Sequence, residues 1–341
     1  MARIPRVWRL LTVAGSLVAL LAAAPAARCA EEPKPVSVIV FPGGFNWPIW
    51  VAQEKGFFAE HGISVALTPT LGSAMQLVGM IDGKWDIAMT ALDNVVAYAV
   101  GQGEIPVGRQ PDLFAFMGGD NGFLSIVTVP EVKRIAELKG RTVTVDALTT
   151  GYAFVLFDLL KRGGLDPRDY KVDIVGGVLQ RWQDMHEKKH DGTLLLTPFE
   201  VVAKAEGFNE LTRAIDVYHR YQGLVGAARR SWAKANREKV VAYIRGFSAG
   251  VDWLYDSNNR EEAIAILRKN LPQMPPAVAA ESYKVLLDPR TGFTRKAKFD
   301  LEGAKKVLEL RSEYGKPHIA LDDPRHFYDA SYYNEAMRKG P

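Results

Sequence analysis

Four short strings in the first half of the chain offer most of the chemistry that can be read from its residues: GFNW at 44–47, LGS at 71–73, TALDN at 90–94 and TTGY at 149–152. Each lies where a β-rich run gives way to a helical one. A helix start presents unpaired backbone N–H groups, and a hydroxyl or amide beside them suits an anionic or polar ligand group. Gly72, Ser73, Thr90, Asn94, Thr149 and Thr150 are candidate ligand-binding residues on this ground. A serine or threonine before a helix is also an ordinary cap, so recurrence in four successive turns is what points to a site. Phe45, Asn46 and Trp47 place two aromatic rings and an amide on the first turn, suited to a small flat molecule. Asp93 either caps its own helix or faces a cation such as a ligand amine.

A fifth string points elsewhere. His186-Glu187-Lys188-Lys189-His190 fits H-E-x-x-H, which on a helix sets two imidazoles on one face beside a glutamate base, and Glu210 stands at a third-ligand spacing. Against a secreted zinc peptidase stand the two lysines inside the motif and Asp191-Gly192 directly after it. They describe an exposed helix end, where a zinc ion would be repelled. No G-x-S-x-G nucleophile elbow occurs. The expectation is no catalytic residue, no metal and no cofactor.

The elements that must carry these turns alternate. Ser37–Phe41, Ile63–Thr68, Asp86–Thr90, LFAFM, LSIVTV and Arg141–Ala147 read as strands. Between them the pattern predicts helices over Ile49–Lys55, from Ser73 to Ile81, from Asp93 or Asn94 to Gly101, and over Tyr152–Arg162. Such alternation predicts open, largely parallel sheets flanked by helices, with ligands binding beyond the strands' carboxyl ends. The C-terminal third is helical: Asn236 caps a stripe of Val240, Ile244, Phe247, Val251 and Leu254, and later helices cover 260–314. The mixed charges of 295–316 read as a solvated helix face.

At 341 residues, 48% hydrophobic and 24% charged, the chain suits two domains. Arg3, Arg6 and Arg9 precede the apolar run Leu10–Ala24, and Ala24-Pro25-Ala26 has the small residues of a cleavage site. Residues 1–26 are expected to be a signal peptide, cleaved there or as late as residue 30, with the protein exported to the periplasm. Removing three arginines leaves 40 basic against 39 acidic residues, a net charge of +1. With no basic patch interleaved with aromatics, nucleic acid is not an expected partner. Cys29 is the sole cysteine and forms no internal disulfide.

Three strings, NWPIWVAQEKGFFAEHGISVAL, GSAMQLVGMIDGKWDIAMT and IAELKGRTVTVDALTTGYAFVLFDLLKRGGL, resemble the nitrate/sulfonate/taurine-type substrate-binding proteins of ABC importers. That group is similar in turn to binding proteins and enzymes of thiamine-pyrimidine metabolism. The resemblance runs from Val36 to about Leu267. It implies an α/β, two-lobed periplasmic binding protein fold of type II, closing on a small-molecule ligand. One lobe would comprise 35–122 plus 224–341 and the other 123–223, hinged near 122–127 and 221–225. It further implies an ABC importer permease with its cytoplasmic ATPase as partner, and a monomer. Gly151 and Tyr152 match the family's turn after the GRTVTV strand, and Phe199, Tyr221 and Gln222 are added as contacts. Trp47 is expected to stack on the ligand in the closed cleft, and Trp50 equally to staple its helix. Thr197–Glu200 has the form of a capping box. Arg181 could pair a carboxylate or sulfonate, although in QRWQD it reads as a helix-surface residue. Synthases and desulfinases of this superfamily use cysteines of the folded body, and none follows Cys29. The expected ligand is a small aromatic or heteroaromatic molecule, a carboxylate or a sulfonate.

Overall fold

The computed structural model describes Met1 and residues 32–338. The expected signal peptide and Cys29 lie outside the described residues. Along the chain run β1 (Lys34–Val40), α1 (Trp47–Glu54), β2 (Ile63–Pro69), α2 (Ser73–Ile81), β3 (Ile87–Ala91), α3 (Leu92–Ala99) and β4 (Leu113–Gly118). Next come β5 (Ser125–Thr128), β6 (Thr142–Val145), α4 (Gly151–Arg162), β7 (Lys171–Ile174), α5 (Val178–His186), β8 (Gly192–Leu195), α6 (Phe199–Ala205), β9 (Asn209–Arg213) and α7 (Ala214–Tyr218). The chain ends with β10 (Leu224–Arg229), α8 (Arg230–Ala235), α9 (Arg237–Leu254), α10 (Arg260–Asn270), α11 (Pro276–Leu286), α12 (Leu301–Tyr314) and α13 (Ala330–Met337).

The strands form two five-stranded sheets, ordered β2-β1-β3-β10-β4 and β7-β6-β8-β5-β9. In each, two pairings are parallel and two antiparallel, so the sheets are mixed. The cause is the same in both. The antiparallel strand, β10 in one sheet and β5 in the other, arrives from the opposite lobe and inserts before the last strand. The two lobes are thus joined through 119–124, between β4 and β5, and 219–223, before β10. Strands buried on both faces, such as IAMTA of β3 and LFAFMG of β4, announce themselves as apolar runs. The edge strands KVDI and NELTR are polar and half-exposed, and they escape a reading by periodicity. Among the described residues no helix is long and apolar enough to cross a membrane.

The first turn differs from expectation. A 3-10 turn over Gly44–Asn46 runs directly into α1, which starts at Trp47 with Pro48 in its first turn, where a fixed φ favours the helix. The Trp47 side chain therefore points into its own lobe. It is fully buried, donates Nε1 to the Ala263 carbonyl at 3.0 Å and meets the Tyr283 ring edge-on at 5.9 Å. It staples α1 to α10 and α11 and does not reach the cleft. Other local expectations also shift. Gly72, not Ser73, caps α2; Asn236 precedes α9 but gives its amide to the Trp232 carbonyl. Thr197 donates to the Glu200 carboxylate at 2.5 Å instead of forming a capping box, and Phe199 opens α6 behind it.

Truncating a fully buried tryptophan leaves a cavity and an orphaned carbonyl. Trp47→Ala is expected to lower the unfolding free energy of the ligand-free protein by about 3–5 kcal/mol in urea denaturation. An unchanged midpoint would return this ring to the cleft.

Candidate functional site

A small cavity lies between the lobes at the carboxyl ends of the strands, with a volume of about 50 Å³. Phe41, Phe45, Ala91 and Asn94 line it from one lobe, and Asp146, Thr150, Tyr152, Val178, Arg181 and Leu196 from the other. Asp120 and Leu224 come from the two ends of the crossing region. Four of the expected residues therefore meet here: Phe45, Asn94, Thr150 and Tyr152. Asn94 donates to the Thr90 hydroxyl at 2.9 Å, and Thr150 caps α4 while donating to the Ala147 carbonyl at 3.1 Å. Burial raises the Tyr152 phenol well above its ordinary pKa.

The other expected residues support the walls and do not line the cavity. Asn46 donates to the Phe41 carbonyl at 2.6 Å, and Thr90 lies beneath Asn94. Tyr221 stacks on Tyr218 at 6.2 Å. Gln222 donates to the carbonyls of Asp120 and Leu224, and accepts from the Asp300 N–H at 2.7 Å. Phe199 is buried within its own lobe. The α2 start expected to greet an anionic ligand is filled by the protein itself: the Ser73 N–H donates to the Asp146 carboxylate at 3.0 Å from across the cleft, and Gly72 packs beside it. Next to this contact the Gly177 N–H donates to the Leu71 carbonyl at 2.8 Å.

Asp93 neither caps its helix nor faces an incoming amine. Arg311 of α12 grips both of its oxygens, Nε to Oδ1 at 2.8 Å and Nη2 to Oδ2, with both side chains buried. Helix α12 reads as a solvated, mixed-charge segment, yet this arginine is fully buried on its inner face. The same guanidinium donates to the Gln102 amide oxygen at 3.2 Å and the Thr149 carbonyl at 2.6 Å, and lies 4.5 Å over the Phe154 ring. Thr149 in turn donates to Glu104 at 2.7 Å. Gly151 is needed at this seam, since a β-carbon there would fall 2.3 Å from Cβ of Asp93.

Arg181 is a cavity-lining residue that a surface reading loses. Its side chain is buried, donating to the carbonyls of Gly176 at 2.9 Å and Leu194 at 3.0 Å, while Nε has no partner. Burial brings its pKa down to about 10. A signal was present: Val178, Arg181, Trp182 and Met185, the buried face of α5, follow helical spacing. Asp146 and Asp120 carried no such signal. Asp120 stands in GGDNG, a string that reads as an exposed turn. In the fold it is buried, with Oδ1 accepting from Gly122 N at 2.8 Å and Leu224 N at 3.1 Å, and Oδ2 without a partner. Burial pushes its carboxyl up to about 6, against the pull of those two N–H groups.

The H-E-x-x-H string lacks the helix its chemistry requires. Helix α5 stops at His186, Lys188 takes a left-handed φ of 58°, and His190 sits in the following loop. His186 lies 2.9 Å from Glu206, and Glu210 accepts from Ser125 and Lys204. Among the described residues no cluster of His, Cys, Asp and Glu could hold a metal ion.

A family model described as NMT1/THI5 like matches residues 46–261. Among solved structures, the periplasmic nitrate-binding protein NrtA from Synechocystis PCC 6803 has a TM-score of 0.74 at 14% identity, covering 89% of this chain and 88% of that one. The alkanesulfonate-binding protein SsuA from Xanthomonas axonopodis pv. citri, bound to MOPS, has a TM-score of 0.69 at 14% identity, covering 87% and 99%. A cysteine-to-serine mutant of DSZB in complex with biphenyl-2-sulfinic acid has a TM-score of 0.61 at 10% identity, covering 88% and 99%. No curated protein matches the sequence. At these identities the likeness is one of fold, the two-lobed fold of periplasmic binding proteins.

The raised carboxyl of Asp120 makes a signed prediction. Its pKa is about 6 in the fold against 3.8 for an ordinary aspartate, so the folded state binds the proton more tightly. The group therefore disfavours folding progressively as pH rises through that window. Asp120→Asn removes the penalty while keeping an oxygen for both N–H groups. Between about pH 4 and 7, its unfolding free energy relative to the unmodified protein should rise by on the order of 3 kcal/mol. A pH-independent difference in urea titrations would show that the carboxyl is solvated.

Proposed function

The chain belongs to the NMT1/THI5-like family, and we propose that it acts there as the solute-binding component of an ABC importer. In this reading it is exported by residues 1–26 and works in the periplasm as a monomer. It captures a small organic carboxylate or sulfonate between the lobes and delivers it to a membrane permease driven by a cytoplasmic ATPase. The lobes correspond to 35–122 plus 224–341 and to 123–223, moving about the two crossing segments. The observation that carries the reading is Arg181: a buried guanidinium on the cavity wall, with a free Nε and no carboxylate in ion-pair contact, flanked by aromatic rings from both lobes. A cation so placed is an acid receptor, because charge-assisted hydrogen bonds are strongest where water is excluded. The names of NrtA and SsuA, nitrate-binding and alkanesulfonate-binding, support an anionic cargo for this architecture.

Closure and capture are coupled in this mechanism. A volume of 50 Å³ holds only a few waters, so an organic ligand enters when the lobes part. Parting exposes Phe45 and Tyr152 and frees the α2 start from Asp146. Closure on the ligand buries both rings again, which ties binding energy to the closed form. Among the described residues no cysteine lines the cavity, whereas synthases and desulfinases of this superfamily are expected to use one.

A thermal-shift panel of small carboxylates, sulfonates and nitrate should yield a compound that raises the melting temperature and contracts the protein in solution scattering. For that compound, Arg181→Gln should weaken binding about ten- to a hundred-fold by calorimetry. Equal affinity in the variant would move the acid receptor elsewhere.

A further inference from the structure

Capture of an acid by Arg181 leaves Oδ2 of Asp120 without a role. The Asp120 side chain is 1% exposed, the residue is among those lining the cavity, and its buried Oδ2 accepts no hydrogen bond. A buried carboxylate oxygen without a hydrogen bond is destabilising, more so than a neutral polar atom. No lysine, arginine or histidine of the described residues pairs with it, and its hydrogen bonds come only from Gly122, Leu224 and their neighbourhood. Three other polar side chains of the cavity are engaged, Asn94 with Thr90, Thr150 with Ala147 and Asp146 with Ser73, while the Tyr152 phenol lies within range of the Asp120 charge. The same cavity therefore holds an acceptor lacking a donor, Asp120 Oδ2, and a donor lacking an acceptor, Arg181 Nε, which do not bond to one another.

Resting on the solute-binding reading above, we propose that the cleft selects a bipolar ligand. The acidic end meets Arg181 and a cationic or N–H-donating end meets Asp120 Oδ2. The body of the molecule lies between Phe45 and Tyr152. A simple anion is disfavoured in this site. The charge of Asp146 is already countered by the start of α2, whereas that of Asp120 is not, so an acid without a donor brings a second negative group towards an uncompensated carboxylate. Specificity then comes from repulsion of the wrong ligand as much as from attraction of the right one. Because Oδ1 of the same carboxylate accepts from both crossing segments, the donor end of the ligand docks directly on the hinge.

Two isosteric pairs separate the possibilities: homotaurine with butanesulfonate, and para-aminomethylbenzoate with para-ethylbenzoate. Within at least one pair the ammonium compound should bind at least about ten-fold tighter by calorimetry, and Asp120→Asn should reduce that preference to within about three-fold. In carbon NMR of the unmodified protein, the ammonium compound should lower the titration midpoint of the Asp120 carboxyl and its methyl counterpart should not, a readout independent of the variant's folding. If both members of a pair bind and close the cleft equally well, solute binding stands and the bipolar selection falls. A preference that survives Asp120→Asn likewise overturns it. If no member of either pair binds while another compound of the panel does, solute binding stands and the bipolar selection falls; if nothing in the panel binds, both readings fall.

Discussion

One carboxylate oxygen, Oδ1 of Asp120, holds the two crossing segments together. It accepts from Gly122 within its own crossing and from Leu224 at the end of the other, while the Asp120 carbonyl accepts from Gly223 and from the Gln222 amide. Gly122 takes a φ of +74°, and a β-carbon at Gly223 would lie 2.2 Å from Oδ1, so the geometry admits little but glycine at both places. Each sheet contains a strand delivered by one of these crossings, and that strand sits inside the sheet instead of at its edge. The sheets are therefore interlocked through the chain, and the cleft must form where the crossings meet. The second oxygen of this buried acid is left without a hydrogen bond.

A second buried charge organises the seam. Asp93 and Arg311 are both shielded from water, and taking two charges out of solvent costs several kcal/mol that geometry must return. Two-pronged contact with Asp93, bonds to Gln102 and Thr149, and the face of Phe154 supply that return. The guanidinium thus reaches from α3 to the turn before α4, with α12 packed against both helices. By fixing the Thr149 carbonyl it positions the cap at Thr150 and hence the wall of the site. Asp146 on the start of α2 adds a further cross-lobe electrostatic contact, in a place where the fold could accept an external anion.

The division between buried and free polar atoms decides what the cleft can recognise. Most polar atoms near it are satisfied internally, and such atoms contribute shape more than selectivity. Arg181 Nε and Asp120 Oδ2 are buried atoms of cavity-lining residues that make no hydrogen bond. Their unmet hydrogen-bonding capacity is a stability cost to the empty protein, consistent with the rule that binding groups are held ready at the expense of the fold. Aromatic rings play the complementary part, with Phe45 facing the cavity and Trp47, two residues on, anchoring the helix that carries it.

Residue pattern alone determined the alternation of strands and helices, the bounds of α2, the helical C-terminal region and three of the turns that border the inter-lobe cavity. These follow from local periodicity and from glycine, proline and cap residues, which act within a few positions. The side on which Arg181 falls was misjudged, since its charge in QRWQD outweighed a helical spacing that groups it with Val178, Trp182 and Met185 on the buried face. Edge strands such as β7 and β9 were not legible, because a half-exposed strand lacks an apolar run. What faces a buried residue was decided only by tertiary structure. Arg311 meets Asp93 across 218 positions, and Asp146 meets Ser73 across 73. Asp120 and Leu224 are 104 apart. No local pattern encodes such partners, since an aspartate in a glycine-rich string has the same neighbours in sequence whether water or a second chain segment covers it. Trp47 turned inward for the same reason: α10 and α11, more than 200 residues further along, supply the surface that buries it.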